Sequence, residues 1–362
     1  MSKIKMGTHE AILVILTMLI PLTVISTPKI YINELKSSAL LNILYVTIIS
    51  VCISFLIYKL FKSFPEKDIL DISDFLGGKI FRNIIGSIFI FYFIVSSSIF
   101  IRDFSESLNV IYYPYTDVKY IALSFIFTLG VINSYGFSSS IVKTTVLIAP
   151  ALFLSLILLF AGNIENFSFY RIFPILGDGI YNTFFLGLTN IGSFAGIIYL
   201  YLLPPLLKEP QKFKRVALLS TIISGILILI CISSLLLMFS IFITVDEIMP
   251  LFTIGRYIEF GTFFQRFESI FLLIWTVSFC CYLVIACKFS SYIFTKMFNL
   301  KDSSPVFIIF TFLLYAITLL PPNFAVTDFY ESYIHRYFTI GVIILGIIIL
   351  SLSNLKKKVS KI

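Results

Sequence analysis

The stretch GLTNIGSFAGIIYLYLLPP, residues 187–205, decides how this chain folds. It lies in a run apolar enough to cross a membrane. Yet its centre reads Thr189-Asn190-Ile191-Gly192-Ser193-Phe194-Ala195-Gly196, and Pro204 and Pro205 close it. Lipid offers no hydrogen bonds, so a loosened helix is tolerated at membrane depth only where protein or a water-filled cavity covers it. Many transporters carry two such interruptions at matching positions of two inverted repeats, with substrate bound where they meet. The same glycines would also serve as a Gly-xxx-Gly face for close helix packing.

The surroundings support a membrane reading. Of 362 residues, 59% are hydrophobic and 13% charged, whereas a soluble domain is about half apolar and a quarter charged. A spanning helix needs about 20 apolar residues. Ten stretches qualify, at about 8–28, 37–61, 84–110, 118–136, 141–161, 183–206, 214–243, 267–295, 305–321 and 335–354. The expectation is an all-α integral membrane protein of ten transmembrane helices, one polytopic domain over residues 1–362 whose halves run from about 8 to 161 and from about 183 to 354. No small-residue cleavage site follows the first apolar stretch, which reads as a span and not a leader.

The net charge of +8 would suit nucleic acid if it were gathered on one face. Instead the basic residues sit at the ends of spans, and 19 of the 27 fall on the side of both termini. By the positive-inside rule the termini are cytoplasmic. Membrane lipid is the expected surrounding and nucleic acid is not an expected partner. No Walker A, dinucleotide or nucleophile motif is present, so no catalytic residue is assigned. The five cysteines (Cys52, Cys231, Cys280, Cys281, Cys287) all lie in apolar runs without a CxxC pair, which reads as packing. No metal and no cofactor is expected.

Dividing ten spans into five plus five makes the opening stretch the first span of the second half. The first span of the first half carries Pro21-Leu22-Thr23 in mid-membrane, and proline there removes a backbone hydrogen bond and kinks the helix. Both matching spans are thus interrupted, the pattern of a 5+5 inverted repeat with broken helices 1 and 6. The predicted ligand-binding residues are Pro21, Leu22, Thr23, Asn190, Gly192, Ser193, Phe194, Ala195 and Gly196. Tyr92 and Ser96 of the third span, and Ser278 and Tyr282 of the eighth, are each four apart. Each pair shares a helical face and would form a wall, unless the hydroxyls are satisfied by their own helices. Arg102 and Glu106 are also i, i+4, with Asp103 between them. Their place near a span end predicts snorkelling to the interface, and no lone mid-membrane acid supports a proton relay. The connection 61–83 predicts a short amphipathic surface helix, and 244–268 short helices on the other face.

Four motifs in chain order carry a resemblance: FPEKDILDISDFLGGKI at 64–80, FPILGDGI at 173–180, LYLLPPLLKEPQK at 200–212 and RFESIFLLIW at 266–275. Together they resemble the endospore germination permeases, the B-type membrane subunit of nutrient germinant receptors, over essentially the whole chain. The resemblance implies membership of the amino acid–polyamine–organocation superfamily and a LeuT-like 5+5 inverted repeat. It implies a spore inner-membrane location and partnership with an A-type membrane subunit and a C-type lipoprotein. The implied role is to bind a small nutrient, often an amino acid, and trigger germination. The alternative is a secondary transporter of amino acids or similar solutes. The sequence departs from the implied pattern at two points. A Gly-Glu pair is implied near the sixth-span break, where Phe194-Ala195 stand. A glycine is implied at the first-span break, where Pro21 stands.

Overall fold

The computed structural model describes residues 5–19, 27–134, 138–258 and 266–359. Helices account for nearly all of them, and no extended strand occurs among the described residues. Among the described residues, seven helices are long and apolar enough to cross a membrane, and three shorter apolar helices complete the ten-span order. The first span comprises two helices, Thr8–Thr17 and Thr27–Leu35. The second is Ala39–Phe61, the fourth Val118–Ser134, the fifth Ser138–Ala161 and the sixth Tyr181–Tyr201. The seventh is Phe213–Met238, the eighth Phe267–Phe298, the ninth Ser304–Thr318 and the tenth Phe324–Val359. The semi-polar connection after the seventh span folds, in its described part, into two short helices, Ile241–Asp246 and Pro250–Gly255.

The third span and the predicted surface helix form one run, Ile69–Ile111, broken at Gly78. Gly78 has φ +74°, a backbone region that costs a side-chain-bearing residue dearly and glycine little. The glycine therefore lets the surface helix turn into the membrane without a loop. Asp68 starts the run, accepting from the amides of Leu70 and Asp71 at 3.0 Å each. Ile69, Leu70 and Ile72 are buried, while Phe75 and Ile80 of the predicted apolar face stay exposed, so this helix packs mainly through its first turn.

Enclosure differs sharply among spans and locates the core. Seventy-two per cent of the sixth span's most apolar window is buried, 67% of the third's and 61% of the eighth's, against 33% for the fifth. The outer spans turn side chains such as Ile48, Phe127, Leu147 and Phe312 outward, where hydrocarbon is as good a solvent for them as protein. The core thus sits on the third, sixth and eighth spans, three of the four from which the sequence draws its site.

Close packing relies on glycine where helices cross. A side chain at Gly225 of the seventh span would place its first carbon 2.5 Å from Thr47 Oγ1 and 3.0 Å from Thr47 Cβ on the second span. Thr47 is β-branched and its hydroxyl is bonded to Ile43 O at 2.7 Å, so it cannot swing away. Gly225→Ala is expected to destabilise by about 1–3 kcal/mol through overpacking, read as a lower unfolding midpoint in detergent. An unchanged midpoint would show that the two spans are free to separate there.

Candidate functional site

The sixth span is where the backbone departs from the α-helix. Leu186–Tyr201 is wound as a 3-10 helix, entered through a π turn at Tyr181–Phe185 and broken at Phe194 (φ −93°, ψ +40°). Long 3-10 runs are uncommon and frequently mark a hinge. The break is fully buried, Phe194 being 0% exposed and Ala195 3%. It packs on the end of the first helix: a side-chain carbon at Gly196 would lie 2.7 Å from Leu19 Cδ1 and 3.4 Å from Ile15 O. Residues 5–8 reinforce this pairing. The Met6 amide donates to Leu206 O at 2.7 Å, and the Lys208 amide donates to Met6 O at 2.9 Å.

Polar groups from the first, second and sixth spans satisfy one another around the break. The Tyr31 hydroxyl donates to Asn190 O at 3.1 Å, and Ser193 lies within its hydrogen-bonding reach. Asn190 Nδ2 donates to Asn42 Oδ1 at 3.2 Å, and Asn42 Nδ2 donates to Thr183 O at 2.7 Å. This is what the membrane interior demands where a backbone leaves α-helical geometry. Beside these groups is a cavity of about 10 Å³, room for one water, lined by Thr27, Ile30, Thr189, Asn190, Ser193 and Arg336. Arg336 pairs with Glu34, yet its Nε is buried without a hydrogen-bond partner. A buried, unpaired guanidinium donor favours an acceptor, above all an anionic one.

A second group of hydroxyls joins the third, sixth, eighth and tenth spans. Tyr92 OH lies 3.0 Å from Thr339 Oγ1. Ser97 Oγ donates to Tyr282 OH at 3.4 Å, and Ser96 is within reach of both tyrosines. Tyr199, from beyond the break, is an electrostatic neighbour of Tyr92 and Tyr282 and stacks on Phe93 with centroids 4.8 Å apart. Ser278 is fully buried and its hydroxyl has no partner, while Thr276 bonds its own helix at Leu272 O, 2.9 Å.

Asn190, Ser193, Phe194, Ala195 and Gly196 thus gather at the break, with Gly192 buried beside them. Tyr92, Ser96 and Tyr282 gather in the hydroxyl wall. Pro21, Leu22 and Thr23 lie outside the described residues. Tyr31, Asn42, Tyr199 and Arg336 escaped the sequence reading. Tyr31 and Tyr199 carried a usable signal, lying four and three residues from Thr27 and Gly196. Asn42 and Arg336 carried none. One expectation is corrected. Arg102 and Glu106 do not snorkel: their side chains are 11% and 8% exposed and bond each other, Nε to Oε1, at 2.5 Å. The third span's far end is covered by the tenth span, and a pair inside a bundle has no water to reach.

Ten apolar spans, with the sixth broken against the end of the first helix, define an all-α membrane protein of transporter architecture. The chain's fold is similar to that of a mutant manganese transporter from Eremococcus coleocola, with a TM-score of 0.57 at 12% identity, over 96% of this chain and 76% of that one. Residues 5–325 match the family described as spore germination protein, and the chain belongs to that family. It is 22% identical over 321 residues to spore germination protein YndE of Bacillus subtilis (strain 168), spanning 88% of each chain. It is 25% identical over 289 residues to spore germination protein A2 of the same organism, spanning 78% of this chain and 77% of that one.

Proposed function

We propose that this chain is the membrane subunit of a spore germinant receptor, binding a small carboxylate-bearing nutrient such as an amino acid between the first and sixth spans. The observation that carries the reading is Arg336 Nε, buried and unpaired at the cavity beside the sixth-span break. Ser193 lines the same cavity and supplies a neutral hydroxyl, and in this reading Tyr92, Ser96, Ser278 and Tyr282 line the site once it opens. The cavity has room for about one water, so a nutrient enters only when the broken helices part. A nutrient that binds the parted state more tightly shifts the population towards it. The role is one of binding and signalling, with no chemistry performed on the nutrient. In the spore inner membrane, with both termini on the core side, the shift passes to an A-type membrane subunit and a C-type lipoprotein.

The test is germination of spores carrying Arg336→Gln, Ser193→Ala or Gly196→Ala, scored over a panel of nutrients with and without a carboxylate. Arg336→Gln is expected to raise the required concentration of carboxylate nutrients by roughly tenfold to a hundredfold, the worth of a charge-assisted hydrogen bond. Ser193→Ala and Gly196→Ala are expected to change the order of preference. Unchanged responses at normal protein level would remove the site from this region. Uptake of a labelled nutrient by the chain alone in liposomes would instead make it a transporter.

A further inference from the structure

Lysines staple together one corner of the membrane face that carries the end of the tenth span. There the second span ends, the surface helix lies, and the tenth span leaves the membrane. Asn354 Nδ2 donates to Leu60 O at 3.0 Å, and Lys357 Nζ donates to Ser63 O. Lys356 Nζ donates to the carbonyls of Phe75 and Leu76, at 2.9 and 3.0 Å. Both carbonyls belong to the last turn of the surface helix before the break at Gly78, where a cation meets the negative end of the helix.

The carbonyls that hold Lys356 are neutral, so its positive charge is kept. Lys62 adjoins Ser63, Lys67 and Lys79 each follow a bonded or ring-covered residue by three positions, and all of these lysines are exposed, as is Lys356. Residues 59–67 and 354–359 carry six lysines and one acid, Glu66. The acids of the surface helix turn elsewhere: Asp71 holds Lys296 at 2.8 Å, and Asp74 lies 3.9 Å from Arg82. The positive-inside rule explains why lysines fall on this membrane face. It does not require segments 294 positions apart to pool them at one corner.

Beside the ammonium groups the corner is aromatic and aliphatic. Lys356 Nζ lies 5.2 Å from the centroid of the Phe75 ring and Lys357 Nζ 4.6 Å from that of Phe64, and the two rings are 5.8 Å apart. Phe75 is 41% exposed and Ile80 79%, and Ile84, one helical turn past Ile80, also faces outward. Water solvates the lysines but not these apolar side chains. Hydrocarbon suits the apolar side chains but leaves the cations without an anion. A lipid with an acyl chain and a net negative headgroup meets both demands. We propose that this corner binds an anionic phospholipid, its phosphate among Lys356, Lys62, Lys67 and Lys79 and its acyl chains along Phe75, Ile80 and Ile84. The bound lipid joins the end of the tenth span to the surface helix, so the charge of that leaflet sets how firmly the two are held. The site depends on neither a bound nutrient nor the receptor reading.

The test uses the purified full chain in an uncharged detergent. Its unfolding midpoint is followed as phosphatidylglycerol or phosphatidylcholine of equal chain length is added. A lysine beside an anionic lipid surface is worth about fivefold in affinity. Phosphatidylglycerol is therefore expected to raise the midpoint at a concentration roughly tenfold or more below that of phosphatidylcholine, and added salt to narrow the gap. Lys67→Gln/Lys79→Gln is expected to raise the phosphatidylglycerol concentration needed by roughly tenfold to thirtyfold, read against the variant's own lipid-free midpoint. Lys356→Gln also cuts the staple, so the exposed pair decides the matter. Equal concentrations of the two lipids overturn the proposal. So does a double variant that keeps the wild-type preference, and so does inorganic phosphate that matches phosphatidylglycerol, since a soluble anion would then suffice. No arm involves a nutrient, so the result is separate from germination of the Arg336 variant.

Discussion

Asp68→Ala is expected to cost the folded protein about 3 kcal/mol and to lower its unfolding midpoint in detergent by several degrees. Asp68 is 0% exposed, and its carboxylate is used four times. One oxygen caps the third-span run at Leu70 and Asp71. The other accepts from Tyr292 OH and from Lys296 Nζ, both on the eighth span, at 2.6 Å each. Losing an N-cap costs about 1 kcal/mol, and breaking a buried pair about 3–5 kcal/mol. The sum is lowered because Asp71 also holds Lys296, at 2.8 Å. Asp68→Asn keeps an oxygen for the cap but loses the charge facing Lys296, so it should fall between wild type and alanine. A midpoint for Asp68→Ala equal to wild type would mean that the surface helix is not latched to the eighth span.

The second large effect is at Gly346 of the tenth span. A side-chain carbon there would fall 2.6 and 2.7 Å from Cε1 and Cε2 of Tyr201. Tyr201 cannot yield. It is 0% exposed, its hydroxyl donates to Ile343 O at 2.7 Å, and its ring meets Phe89 edge-on at 6.0 Å. Gly346→Ala is expected to destabilise by about 3 kcal/mol, the upper end for overpacking, with loss of the Tyr201 bond contributing. Tyr201→Leu, mild or severe alone, should recover part of the loss when combined with Gly346→Ala, a coupling that a double-mutant cycle measures. Strict additivity would show that the two residues do not collide.

The span order was legible because hydrocarbon thickness dictates the length of each apolar run and lipid forbids unpaired backbone. The sixth-span break was legible for the same reason. A run of Asn190, Gly192, Ser193 and Gly196 has no purpose facing lipid, and the non-helical residue, Phe194, falls inside it. The walls were half legible. Helical spacing told that Tyr92 and Ser96 share a face, and that Arg102 and Glu106 do. It could not tell which neighbour covers that face. Burial of Arg102 and Glu106 depends on the tenth span, more than 200 residues later in the chain, and period alone carries no such information. Asn42 illustrates the limit: its partner Asn190 is 148 positions away, and nothing around it in the second span marks it as different from a tolerated polar residue.

The Met6 contact with Leu206 and Lys208 has a mechanical meaning. It clips the entry of the first helix to the exit of the sixth span, while Gly196 holds the other end of that helix against Leu19. Two rods fastened at both points behave as one lever, and a tilt imposed on either is delivered to the other without slack. Its fulcrum is the loosened winding around Phe194. A peptide fused ahead of Met6, or a deletion reaching it, would act as a weight on that lever rather than as a passive tag.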